Sequence, residues 1–242
     1  MSSVLSPTAA LLLGILSLTD PGQGPAHPRD ADVRAMVQHA AFDPTTYFPS
    51  RYIRDHSIVR IAYTGDDYGW PVYSIAIAEG CIAGETVPRD GCASRLRARM
   101  VRAPADPDAV RPRVLGARLV SRVEGTGART PEEVRKALGE ENLEWVEADL
   151  RACPGALDAL AESAEAEWVP DAITNPRPED AMTGLVLHAD IVRVDFSQYA
   201  RLTTYSGWIA ERSPAAWAVG LAATLEPCWE PAPEQPPWLR PD

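Results

Sequence analysis

Apolar and polar positions along the chain fall into three patterns: one continuous apolar run near the start, several stretches of strict alternation, and segments with helical spacing. Residues 57–64 (SIVRIAYT) alternate with Val59, Ile61 and Tyr63 on one side, and Val72 to Glu79 alternate with Tyr73, Ile75 and Ile77 on one side. A period of two puts every other side chain on one face of a strand. GDDYGWP, between the two segments, supplies turn residues, so they are expected to form a hairpin. Arg95 to Arg102 alternates again, with Arg95, Arg97 and Arg99 facing one way and Leu96, Ala98 and Met100 the other. This predicts a third strand with one wet face. After a proline-rich loop from Ala103 to Arg113, Leu115 to Glu124 is expected to return as a fourth strand.

Helical spacing takes over in other places. Val33, Met36, Val37 and Ala40 predict a short helix within Ala31 to Ala41. Thr130-Pro131-Glu132-Glu133 combines a capping Thr, Pro at the first helical position and a Glu able to bond back to the cap, which predicts a helix to about Gly139. Leu143 to Leu150 is a short element of ambiguous type. Pro154 opens a helix carrying Leu157, Leu160, Ala161 and Ala164, and Pro170 to Glu179 is broken by prolines into loop. Gly184 to Ser197 and Arg201 to Ile209 predict a second strand pair. Ser213 and Pro214 then start a helix whose body, AAWAVGLAATL, is apolar all round, so it must pack against the sheet.

The expected fold is therefore α+β: a mostly antiparallel sheet of about 5–6 strands with a few packed helices, stabilised by disulfides. The expected organisation is a leader over residues 1–24, a single domain over 25–230, and a proline-rich, extended and mobile tail over 231–242. One internal echo stands out. IVRIAYT (Ile58 to Thr64) and IVRVDFS (Ile191 to Ser197) nearly match and both open expected hairpins, through duplication or through the small alphabet of half-buried strands. No period of 20–50 residues recurs, which excludes repeat architectures.

The apolar run, Ala9 to Leu18, has signal-peptide length. A bilayer span needs about 20 apolar residues, a secretory h-region about 7–15. Small residues at Gly22 and Gly24 offer cleavage before Pro25, although no Lys or Arg precedes the run. The alternative is an apolar N-terminal helix docked on the domain. With the leader removed, no membrane span is expected.

Four cysteines, Cys81, Cys92, Cys153 and Cys228, suit an exported protein with two disulfides. The pairing expected from position is Cys81 with Cys92 and Cys153 with Cys228, in each case joining element boundaries. No C-x-x-C spacing supports a metal site. The basic residues are 22 Arg and one Lys, a skew of high-GC bacterial genomes, so a periplasmic or secreted location is expected.

Charge narrows the partners. With 23 Lys+Arg against 34 Asp+Glu the net charge is -11, which repels nucleic-acid backbones and anionic membranes. No G-x-S-x-G, H-E-x-x-H, Walker, dinucleotide or EF-hand pattern occurs, and no cofactor is implied. Three constellations remain. His188 and Asp190 share one face of an expected strand, near enough to share a water, but that face continues into Val192, Val194 and Phe196. Asp66 and Asp67, in the hairpin turn between aromatics, have the chemistry for a cation or sugar, although the turn itself calls for such residues. The Arg95, Arg97, Arg99 stripe suits a carboxylate or phosphate ligand, or internal acidic partners. The expected function is that of an exported binding or envelope-interaction module without catalysis. The alternatives are a periplasmic hydrolase using His188 and Asp190 or the Asp66–Asp67 turn, and an inhibitor-like protein presenting the Cys81 to Cys92 loop.

Overall fold

The computed structural model describes residues 28–48, 57–65, 69–80, 95–103, 113–164, 190–198 and 201–240. Their framework is a seven-stranded antiparallel sheet in the order β6-β5-β1-β2-β3-β4-β7. The strands are β1 (Ser57–Gly65), β2 (Trp70–Gly80), β3 (Arg95–Arg102), β4 (Glu144–Asp149), β5 (Ile191–Gln198), β6 (Arg201–Trp208) and the short β7 (Glu230–Pro231). Both expected hairpins form, β1 with β2 and β5 with β6. The echoed segments lie side by side, Val59 opposite Phe196 and Ile61 opposite Val194.

Helices cover the sheet on both faces. Helices α1 (Pro28–Ala41), α2 (Arg113–Gly125) and α3 (Pro131–Leu138) close one core around Val37, Phe42, Tyr47, Val101, Leu119 and Leu138. On the opposite face α4 (Ala156–Ala161) and α5 (Pro214–Leu225) close a second core on Ile61, Ile75, Ile77, Met100, Val194 and Leu221. The alternation in β2 explains this division. Ile75 and Ile77 point to the second core, whereas Ser74 and Ala76 point to the first, and all four are 0% exposed. The small residues let the first helical layer approach closely: a Cβ on Gly116 of α2 would stand 2.1 Å from the Pro71 carbonyl oxygen.

The local signals at α3 and α5 are realised. Thr130 Oγ1 accepts from Glu133 N at 3.3 Å and Glu133 Oε2 accepts from Thr130 N at 3.0 Å, the reciprocal capping box. Ser213 accepts from Ala216 N at 3.1 Å, and α5 buries Ala215, Ala218, Leu221 and Leu225. Leu143 to Leu150 resolves as β4, with Trp145 in the first core and Ala148 and Leu150 in the second.

Two expectations are corrected. Leu115 to Glu124 is helix α2, not a strand: Gly116, Leu119, Val120 and Val123 form the buried stripe, at helical spacing. The segment after Cys228 is not an extended, mobile tail. β7 pairs with β4, a 3-10 turn covers Pro237–Leu239, and Trp238 is buried at 5% exposure in the first core. Prolines suit such a strap because they lose little backbone freedom on ordering. A disulfide joins Cys153, before α4, to Cys228, after α5, with Cα atoms 5.8 Å apart. Cys81 and Cys92 lie outside the described residues.

Candidate functional site

The arginine stripe on β3 is engaged internally. Its face, expected to be wet, is covered by the first core and by the C-terminal strap, which leaves Arg99 3% exposed. Glu147, opposite on β4, accepts from Arg97 Nη1 at 2.5 Å and from Arg99 Nε at 2.8 Å. Arg99 also pairs with Glu234 of the strap and donates to the Tyr47 carbonyl at 2.8 Å. Its guanidinium lies 4.6 Å from the Phe48 ring centroid and 5.8 Å from that of Trp145. Arg95 reaches Asp149 at 3.7 Å. With Arg97 and Arg99 matched by carboxylates and aromatic faces, the stripe stabilises the fold and presents little free charge to a ligand.

The strap extends this network. Trp145 Nε1 donates to the Glu234 carbonyl at 2.9 Å, and Arg240 donates to the Thr46 and Gln235 carbonyls. Burial, with Arg99 nearby, lowers the Arg240 pKa, and Glu234 partly offsets this. Further along β3, Arg102 bridges Glu144 and Glu226. Burial pulls its pKa down, but the hydrogen bonds to the two carboxylates outweigh that and raise it. Beside the strap an open cleft of about 700 Å³ is lined by Thr130, Arg135, Lys136, Leu239 and Arg240. The start of α3 borders it, but the capping box already occupies N–H groups there, and backbone donors from Arg129 and Thr130 hold Glu133 below the usual glutamate range.

At the sheet end that leads into the first hairpin turn, Tyr63 donates its hydroxyl to Asp190 Oδ2 at 2.6 Å. Tyr63 stacks on Tyr73 with ring centroids 5.0 Å apart. Burial, with a smaller contribution from Glu226, raises the Tyr73 pKa. Asp190 is thus a half-buried carboxylate held by a phenol. His188, Asp66 and Asp67 lie outside the described residues, so the constellations built on them are represented here by Asp190 alone. Among the described residues no group of three His, Cys, Asp or Glu converges as a metal site, and no helix is long and apolar enough to cross a membrane.

The feature that sequence reasoning missed lies at the other edge of the sheet. Among the described residues β6 pairs only with β5, so its outer edge ends the described sheet. Leu202, Trp208 and the adjoining Ile209 are 60%, 51% and 43% exposed. No charged residue occurs from Leu202 to Ala210, and that absence was a readable signal. Natural edge strands are usually blunted by charge, proline or a bulge, and this one carries no charge or proline over that span. No protein-family model, curated protein or solved structure matches the chain. The described residues define a disulfide-stapled α+β protein with a two-sided antiparallel sheet whose β6 edge is uncharged from Leu202 to Ala210 and carries no further described strand.

Proposed function

We propose that the chain is an exported, periplasmic binding module that acts by association, without catalysing a reaction, and that it associates through the β6 edge. The observation that carries this reading is the uncharged outer edge of β6 with Leu202 and Trp208 exposed beside it. An edge strand of this kind recruits an extended chain by main-chain hydrogen bonds, while apolar side chains on its faces select the sequence. Helix α5, which packs on β5 and β6, supplies the rigid support such an edge needs. Export is part of the proposal: the mature protein begins near Pro25, as the length of the apolar run and the Cys153–Cys228 disulfide favour.

A thermal-shift screen of the mature protein tests this, because whatever binds only the native state raises its stability. The ligands are extended peptides, among them one copying residues 201–209, together with sugars, metals and peptidoglycan fragments. An extended peptide is expected to raise the melting temperature of the wild type and to leave that of Ser206→Pro unchanged. A screen in which no ligand acts at β6 would overturn the reading.

A second reading, a periplasmic hydrolase, draws on one observation: the Tyr63 hydroxyl fixes the Asp190 carboxylate at 2.6 Å, two residues before the end of β1. A hydrolytic activity abolished in a folded Asp190→Asn variant would place it first.

A further inference from the structure

We propose that the partner of the β6 edge is a second copy of this chain, joined by antiparallel β6–β6 pairing about a two-fold axis at Tyr205. The proposal rests on the reading of β6 as a binding edge, and it adds the partner and the register.

The register follows from the hairpin. Gln198 pairs with Arg201, and only two residues separate them. The closing pair of a two-residue hairpin exchanges both of its backbone bonds, and successive pairs then alternate. Thr203, Tyr205 and Gly207 accordingly turn their N–H and C=O groups toward β5. Leu202, Thr204, Ser206 and Trp208 turn theirs outward, to the free edge. An antiparallel ladder with an identical strand needs partners drawn from this outward set.

Three two-fold registers bring at least three of these four residues into the ladder. Centred on Thr204, the ladder sets Leu202 against Ser206 and strands Trp208 beyond Arg201. Centred on Ser206, it sets Thr204 against Trp208 and leaves Leu202 facing Ala210. Centred on Tyr205, it sets Leu202 against Trp208 and Thr204 against Ser206, so all four outward residues are used. The Trp208 carbonyl accepts from Ala210 N at 3.0 Å and, at the long limit, from Ser213 Oγ at 3.4 Å and the Tyr205 hydroxyl at 3.5 Å, and the two long hydroxyl contacts are the ones that give way to this ladder.

The same register also matches the side chains. Leu202 and Trp208 are an even number of residues apart and therefore share a face. At 60% and 51% exposed, they are the two most exposed large apolar side chains of the described residues, and pairing about Tyr205 sets each against the other twice. On the opposite face Tyr205 meets its own copy and Thr203 faces Gly207. Identical copies bring identical charges to a two-fold contact, so a strip without charge from Leu202 to Ala210 is what such a contact requires. A chain of net charge -11 meets its mate with least repulsion along such a strip.

The test is sedimentation equilibrium of the full mature chain, with melting temperatures measured in parallel. The wild type is expected as a concentration-dependent dimer. Trp208→Glu is expected to weaken dimerisation by at least about tenfold. Adding Leu202→Lys to Trp208→Glu is expected to restore it, because the two new opposite charges face each other only in the Tyr205 register. Under mild oxidation Tyr205→Cys is expected to form a covalent dimer through its own copy, whereas Thr203→Cys, facing Gly207, is not. A dimer that ignores Trp208→Glu and gives no Tyr205→Cys crosslink would overturn the proposal. A monomeric wild type that binds an extended peptide at β6 would overturn the self-pairing and leave the binding-module reading standing. A monomer that binds none would overturn both.

Discussion

Arg99 and Glu147 stand directly opposite each other on β3 and β4, and the arginine Nε donates to Glu147 Oε2 at 2.8 Å. Through the same guanidinium β3 also holds Glu234 of the C-terminal strap and the Tyr47 carbonyl. One buried cation thus ties the middle of the sheet to a segment 135 residues further along the chain (234 − 99), and to the turn that follows α1.

Arg99→Met keeps the bulk of the side chain and removes its charge. Glu147 retains Arg97, but Glu234 loses its ion-pair partner on β3. Breaking a fully buried pair costs about 3–5 kcal/mol, and the loss here is expected below that range because Glu234 is 27% exposed and keeps Arg240 nearby. Urea unfolding is expected to show that loss, and Arg99→Met/Glu234→Gln is expected to recover part of it. Equal stability of Arg99→Met and wild type would show that the strap does not depend on this pair.

The Cys153–Cys228 disulfide closes a span of 75 residues. On the chain-entropy model a loop of that length stabilises by about 4–5 kcal/mol. Cys153→Ser/Cys228→Ser is therefore expected to lower the unfolding free energy by about that amount. The strap, which starts at Cys228, is expected to become the first site of proteolysis, and limited proteolysis with mass mapping reads this directly.

Where the sequence was legible, local chemistry decided the structure. Thr130, Pro131 and Glu133 announce α3, and the alternation around Ile61, Ile75 and Val194 announces the sheet, because caps and strand periodicity are encoded by neighbouring residues. The apolar residues of Leu115 to Glu124 fit a short alternation as well as a helix, and the cover that β2 gives the Gly116, Leu119, Val120 and Val123 stripe is not visible in local pattern. The arginine face reads as wet in the sequence because its cover comes from residues far along the chain, Glu234 and Trp238 among them. The strap reads as mobile in the sequence because prolines mark both loose tails and pre-ordered ones, and Trp238 gains its pocket only once α1 and α3 are in place. At the candidate site, the partner of Asp190, Tyr63, is 127 residues away, and pattern alone does not reach that far.

Gly116→Ala tests how tightly α2 lies on β2. The added methyl meets the Pro71 carbonyl oxygen at 2.1 Å, with backbone atoms at 3.0 and 3.1 Å behind it. Backbone cannot swing aside as a long side chain does, so α2 must shift. Overpacking of this kind costs about 1–3 kcal/mol, against the modest gain that Ala gives in a helix interior. Thermal unfolding is expected to show net destabilisation, and a melting point at or above that of the wild type would mean that α2 sits further from β2 than described.

Two shielded phenols, Tyr47 buried and Tyr73 half-buried, are expected to lower stability at alkaline pH. Tyr47 is 0% exposed, donates to the Ala41 carbonyl at 2.9 Å and shares a hydrogen bond with Ser74. Burial raises its pKa well above the ordinary tyrosine value. The Ser74 hydrogen bond opposes the shift in part, and Asp43 adds to it. Tyr73 is raised by burial and by Glu226. A folded-state pKa above the unfolded one contributes stability that is fully present below the unfolded value, about 10, and is lost as pH rises toward the folded value. Stability is therefore expected to fall as pH climbs above about 10, because the unfolded phenols release protons there and the folded ones do not. Tyrosinate absorbance should report the ionisation of Tyr47 and Tyr73 only together with loss of the folded signal. Tyr47→Phe removes one of these phenols and should flatten the alkaline decline, while costing about 1–3 kcal/mol at neutral pH through the buried Ser74 hydroxyl it leaves behind. Full tyrosine ionisation near pH 10 with the fold intact would show that neither phenol is shielded as described.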